Sequence, residues 1–339
     1  MNDPMPLNRD PAIDPGIAAA IARAAALGAR KRDLTDIPGA RAQLRREQTW
    51  WAENPPAVAE LRDDALQLGE RAAAIRLYRP RPDVRSPVIL FLHGGGWCLG
   101  DLDTHANVAR GLAIAADAVV VALDYALAPE APFPQCFDET VAAARALRGE
   151  AGERLGIDAT KLALAGDSAG ANLSLAAAVA LRDAGTPADA LGLFYGSFDT
   201  GLDTASFRRF GDGRFGLSRA EMAQFFDYYI PPTARRDDPR ITPLHADLRG
   251  LPPAYVLACG LDVLRDDSVR LAGALAEAGV RFRLDLLPGA THGFLRYGNA
   301  VPLATRALDA AGAFLRQALT AVEPDHSAAS RKGATSGTG

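Results

Sequence analysis

The run Leu162-Ala163-Leu164-Ala165-Gly166-Asp167-Ser168-Ala169-Gly170 constrains this chain more than any other. An apolar segment with strand character stops at a glycine. A serine follows two residues later, and a small-residue helix from Ala169 to about Leu181 starts at once. A chain can turn from strand to helix this abruptly only where both flanks lack a Cβ, as Gly166 and Gly170 do. The turn lifts the Ser168 hydroxyl into solvent above the strand ends. It also sets the Ala169 N–H at a helix N-terminus, where negative charge is favoured. The pattern is a mount for a nucleophilic serine. In a chain with 32 glycines the pentapeptide also arises by chance, so a second motif has to decide.

That motif lies 75 residues upstream, where the buried-strand pattern Val88-Ile89-Leu90-Phe91-Leu92 runs into His93-Gly94-Gly95-Gly96-Trp97. Consecutive glycines let backbone N–H groups turn toward one point, and with the N–H of Ala169 they can receive an oxyanion. A phosphate loop is excluded by spacing. Leu99 stands where a dinucleotide fingerprint starting at Gly94 needs its third glycine, and no Gly-Lys-Ser/Thr follows either motif.

A serine nucleophile needs a base and a group to orient that base. The strand pattern Ala254 to Cys259 ends in Gly260-Leu261-Asp262, and Arg281 to Leu287 leads into Pro288-Gly289-Ala290-Thr291-His292. Ser168, Asp262 and His292 thus each close a strand, in the chain order that a doubly wound sheet requires for this chemistry. Among the five histidines, His93 is expected to brace the glycine loop. His105 and His245 fall in polar loops and His326 in a tail. Asp266 and Asp267 lie a turn into the next helix, where a helix-start charge suits them better than catalysis.

These motifs, together with Asp262-Val263-Leu264-Arg265-Asp266, His292-Gly293-Phe294, Gly100 to His105, Asp124 to Glu130, and Thr242-Pro243-Leu244 leading to Leu251 to Ala254, resemble the hormone-sensitive-lipase-like carboxylesterases. The resemblance spans roughly residues 70 to 320. It implies an α/β-hydrolase fold, a doubly wound, mostly parallel eight-stranded sheet with a helical cap. It also implies ester hydrolysis through Ser168, Asp262 and His292, with an oxyanion hole formed by the N–H groups of Gly95, Gly96 and Ala169. His93 and Asp167 are expected behind these groups. Two departures stand out. Ala126 replaces a usual Arg, which removes a local brace to Glu130, and Ala171 replaces a frequent Gly.

Residues 1–60 are expected to be helical, with runs at Ile17–Gly28 and Arg41–Trp50, and to form half of the cap. A catalytic domain over 61–321 is expected to begin with the strand Ala72 to Tyr78 and to carry a cap insertion at about 197–246. Residues 322–339 are expected to be disordered. Trp97, Trp50, Trp51 and Phe294 are expected to shape the substrate pocket and to favour short acyl chains. Hydrophobic content of 48% is ample for a core, and a net charge of −4 gives no reason to expect nucleic acid or an anionic membrane surface. Three cysteines in no metal-site spacing and an N-terminus without signal-peptide character fit a reducing cytoplasm. No stretch is long and apolar enough to span a bilayer, and no metal or organic cofactor is implied. The partner is a small-molecule ester. Strict alternation from Arg281 to Leu286 marks a strand with one wet face near a sheet edge, compatible with a monomer or a homodimer. Lactones, carbamates or activated amides as substrates, acyl transfer, and ligand binding without turnover remain alternatives.

Overall fold

Val88, Leu90 and Leu92 point into one hydrophobic core, and Ile89 and Phe91 into another. That two-residue period, apolar on both sides, is the signature of a strand covered on both faces. In the computed structural model, which describes residues 10–321 apart from residue 83, eight strands form one sheet. They are β1 (Glu60–Leu68), β2 (Arg71–Arg79), β3 (Pro87–Leu92), β4 (Val119–Leu123), β5 (Asp158–Asp167), β6 (Ala190–Phe194), β7 (Ala254–Leu261) and β8 (Phe282–Thr291). The order is β1-β2-β4-β3-β5-β6-β7-β8. β1 and β2 form an antiparallel hairpin, β2 runs antiparallel to β4, and the remaining pairs are parallel.

The helices are α1 (Pro15–Ala26), α2 (Ile37–Gln48), α3 (Ala106–Ala116), α4 (Gln135–Leu147), α5 (Glu150–Leu155), α6 (Ala169–Asp183), α7 (Ala205–Phe210), α8 (Arg219–Tyr229), α9 (Arg265–Glu277) and α10 (Pro302–Thr320). α1, α3 and α10 contribute to the core on one face of the sheet, and α4, α6 and α9 to the core on the other. The segment between β6 and β7 carries α7 and α8. It is tied to the N-terminal segment by Tyr228, whose hydroxyl donates to the Leu34 carbonyl at 2.9 Å, and by Asp10, which pairs with Arg209 at 2.6 Å and Arg214 at 3.0 Å.

β1 lies upstream of the strand at which the core was expected to begin. Its sequence, Glu60-Leu61-Arg62-Asp63-Asp64-Ala65-Leu66-Gln67-Leu68, is too polar to read as a strand, because it sits at the sheet edge with much of its length exposed. The proposed tail, residues 322–339, lies outside the described residues.

Packing explains why both elbow flanks are glycine. A Cβ on Gly170 would stand 1.9 Å from the Leu92 carbonyl oxygen, and one on Gly166 would stand 2.6 Å from the same atom. The Gly170→Ala protein is therefore expected to lose about 3 kcal/mol of stability or more, because neither β3 nor α6 can retreat without disturbing the sheet. Urea unfolding checks this, and a midpoint equal to the parent's would contradict it.

The exit from β6 is held by a buried carboxylate. Asp267, on α9, accepts the Phe198 N–H at 2.9 Å and the Asp199 N–H at 3.1 Å through one oxygen, while its other oxygen has no partner among the described residues. Burial pushes this carboxyl from 3.8 up to about 7, against the two N–H bonds that lower it. Between these values the folded chain keeps a proton that the unfolded chain has released, so stability falls as pH rises through that window. Asp267→Asn, which cannot ionise, is expected to gain on the parent between pH 5 and pH 8. Unfolding midpoints at the two pH values measure this, and a gap independent of pH would count against it.

Candidate active site

Ser168 closes β5 and precedes α6 in a left-handed backbone conformation, φ 54° and ψ −118°, that a non-glycine residue rarely adopts. Its N–H donates to the Phe194 carbonyl at 2.8 Å, which anchors the turn to β6. The hydroxyl does not stand open to solvent as the elbow alone implied. The residue is 8% exposed, at the floor of a cavity of about 660 Å³.

Asp262 follows β7 and His292 follows β8. His292 Nε2 lies 2.9 Å from Ser168 Oγ, and its Nδ1 lies 2.7 Å from Asp262 Oδ2. The Leu264 N–H donates to the other Asp262 oxygen at 3.0 Å, which fixes the buried carboxylate in its plane. Gly95 and Gly96 adopt φ of +128° and +60°. A Cβ on Gly95 would meet the Leu99 carbonyl oxygen at 2.2 Å, and one on Gly96 would meet the Phe225 ring at 2.3 Å. Among the described residues neither glycine N–H has a hydrogen-bond acceptor. The N–H of Ala169, first residue of its helix, has no intrahelical acceptor either.

Asp167 and His93 lie behind this loop. Asp167 accepts the Gly94 N–H at 2.8 Å. Burial pushes the Asp167 carboxyl up, but the neighbouring His105, the Gly94 N–H and Arg296 outweigh it and hold the group below its ordinary value. His93 Nδ1 lies 2.9 Å from the Gly94 carbonyl oxygen, and the ring stacks on Tyr125. Burial, with repulsion from His105, pulls the His93 imidazole down to about 4, so it stays neutral.

Sequence reasoning missed His105. It is not a polar-loop residue at all: it is buried, lines the cavity and brings Nε2 to 3.5 Å from Asp167. No strand ends beside it, so the signal that exposed His292 was lacking. Three of the four pocket residues expected from sequence also need correction. Trp50 and Trp51 do not line the cavity; Trp51 packs edge-on to Tyr297 at 4.9 Å and borders a separate space of about 80 Å³. Phe294 is fully buried behind Tyr195, whose ring meets His292 edge-on at 5.1 Å. Trp97 borders the cavity, yet its indole is 1% exposed and stacked on Tyr229 at 4.5 Å. The roof is made instead by Leu34, Leu44, Leu217, Met222 and Phe225. Cys98 is buried, and its thiol is pushed up to about 12, so it stays un-ionised.

The brace to Glu130 exists, but its arginine comes from elsewhere. Arg41, on α2, pairs with Glu130 at 2.7 Å, donates to the Ala128 carbonyl at 2.9 Å and, through Nε, to the Cys98 carbonyl at 2.7 Å. Among the described residues no three His, Cys, Asp or Glu side chains converge as a metal-binding group, and no helix is long and apolar enough to cross a membrane.

An eight-stranded, mostly parallel sheet with a serine elbow at its C-terminal edge defines an α/β hydrolase. The chain belongs to the alpha/beta hydrolase fold family, whose model matches residues 89–296, and within it to the hormone-sensitive-lipase-like carboxylesterases. It is 39% identical over 292 residues to carboxylesterase NlhH of Mycobacterium tuberculosis, covering 83% of this chain and 89% of that one. Esterase LipI of the same organism is 37% identical over 260 residues, 74% of this chain and 81% of that one. Among solved structures, a thermostable esterase from Pseudomonas putida superposes with a TM-score of 0.85 at 31% identity, over 93% of this chain and 100% of that one. The esterase of Pyrobaculum calidifontis gives 0.84 at 30% identity, over 91% and 100%. The chain is a carboxylic ester hydrolase.

Proposed function

We propose that the chain hydrolyses short-acyl or aryl esters through a covalent acyl-enzyme on Ser168. The observation that carries this reading is the single imidazole within hydrogen-bond reach of both the Ser168 hydroxyl, at 2.9 Å, and the Asp262 carboxylate, at 2.7 Å. His292 Nε2 takes the hydroxyl proton as Oγ attacks the ester carbonyl carbon, and Asp262 fixes the tautomer and stabilises the imidazolium. The N–H groups of Gly95, Gly96 and Ala169 receive the developing oxyanion, each contributing about 3 kcal/mol. Collapse expels the alcohol, which leaves with the proton from His292. Water then attacks the acyl-enzyme by the same steps in reverse.

A cavity of about 660 Å³ under an apolar roof supports substrates of small-ester size. Three buried, unpaired cysteines support work in a reducing compartment such as the cytoplasm. A fluorophosphonate is expected to add once per chain, at Ser168, and to abolish turnover of p-nitrophenyl acetate in proportion. Labelling at another residue, or none, would overturn the reading. A series of p-nitrophenyl esters of rising chain length, run beside an aryl carbamate and a lactone, ranks the substrates.

A further inference from the structure

Besides Asp167 at its floor, the cavity over Ser168 is lined by six ionised side chains: Lys31, Arg32, Arg214, Arg296, Asp212 and Glu221. Most are already engaged. Arg32 pairs with Glu47 at 2.6 Å, and Arg214 pairs with Asp212 at 2.7 Å and with Asp10 at 3.0 Å. The Glu221 carboxylate accepts the Ser218 N–H at 2.9 Å and its hydroxyl at 2.5 Å, capping α8. Lys31 is exposed to water.

Arg296 differs from all of these. It is half-buried in the short 3-10 turn Phe294–Ala300, four residues beyond His292. Among the described residues no carboxylate lies within ion-pair distance of its guanidinium. Its Nε and Nη2 come within 3.6 Å of where a Cβ on Gly293 would stand, so the charge lies against the residue that follows His292. Its backbone carbonyl, by contrast, is firmly held, by the Gln48 amide at 3.0 Å and the Asn107 amide at 3.1 Å. The side chain is thus mounted on a fixed turn. After burial, repulsion from Arg296 is the main influence drawing the Arg32 guanidinium below its ordinary value, so the two cations share one wall. Arg32 Nε is itself buried without a partner among the described residues. Asp167 is the carboxylate whose charge Arg296 feels, yet the two form no ion pair, so the fork of donors stays unfilled, and its planar geometry matches a carboxylate.

We propose that Arg296 is a specificity-determining residue that binds a carboxylate carried by the ester substrate, in a field strengthened by Arg32 and Lys31. This inference rests on the esterase reading above and names the substrate class: esters with an anionic group on the alcohol or the acyl part.

Two matched pairs test it: para-acetoxybenzoate against its methyl ester, and mono-p-nitrophenyl succinate against p-nitrophenyl butyrate. The ratio of kcat/KM for the anionic over the neutral member is expected to fall about tenfold or more in Arg296→Gln for at least one pair, chiefly through KM. Arg296→Lys should recover part of the loss, and added salt should shrink the parent's preference. A response in the first pair alone places the anion on the leaving group, and in the second alone on the acyl group. An unchanged ratio in both pairs overturns the proposal. Two readouts do not depend on turnover. Calorimetric titration of para-acetoxybenzoate into Ser168→Ala should weaken about tenfold when Arg296→Gln is added. Benzoate should bind the parent more tightly than benzamide, and equal affinity counts against the site. A parent that binds benzoate but hydrolyses no ester sinks the esterase reading and leaves the anion site standing.

Discussion

The Ser168→Ala protein is expected to fold as the parent does and to hydrolyse p-nitrophenyl acetate about 10⁴- to 10⁶-fold more slowly. The size of the loss follows from the division of labour. In the mechanism proposed above, His292 and Asp262 act on the substrate only through the Ser168 oxygen, so deleting that oxygen idles both. What survives is the contribution of the amide donors and of binding. Folding is spared because Oγ has His292 as its partner and makes no other hydrogen bond among the described residues. Alanine keeps a Cβ in the same left-handed conformation. Steady-state turnover and a thermal melt on one preparation settle the matter. A variant within tenfold of the parent would remove Ser168 from the mechanism.

Asp262→Asn is expected to cost about 10⁴ in kcat, for a reason specific to this geometry. The Leu264 N–H donates to one Asp262 oxygen at 3.0 Å, while His292 Nδ1 meets the other at 2.7 Å. In an asparagine the carbonyl oxygen must stay toward Leu264, since an amide nitrogen cannot accept that N–H. The NH₂ group then faces His292 and turns Nδ1 into an acceptor. The ring proton moves to Nε2, which points at Ser168 and can no longer take its proton. The loss should appear in kcat with little change in KM. A variant whose kcat falls less than about tenfold would show that Asp262 does not set the tautomer.

The sequence was legible where periodicity and turn chemistry coincide. Ser168, Asp262 and His292 each close a strand, apolar for the first two and alternating for the third, and a strand's end fixes which sheet edge its loop serves. It was opaque where position depends on contacts distant along the chain. β1 is polar because it is an edge, so no hydrophobic period marks it. His105 reaches Asp167 from the start of α3, with no strand before it. Trp50 and Trp51 carry large apolar area, but nothing local says where it packs; Trp51 borders a separate space rather than the cavity over Ser168. Arg296 looks like one more surface arginine until the counter-ions of its neighbours are assigned.

Arg41 joins two parts that are usually thought of separately. It belongs to a helix of the roof, yet its guanidinium grips the carbonyl of Cys98, directly beyond the glycines that face Ser168. A roof helix that swung aside would carry this clasp with it and slacken the glycine loop that the proposed mechanism uses to receive the oxyanion. Wider access for bulkier molecules therefore cannot come from hinging the N-terminal segment alone. Any opening also involves the α7–α8 side, where Phe225 rests on the glycine loop and Tyr228 and Arg209 hold the two segments together.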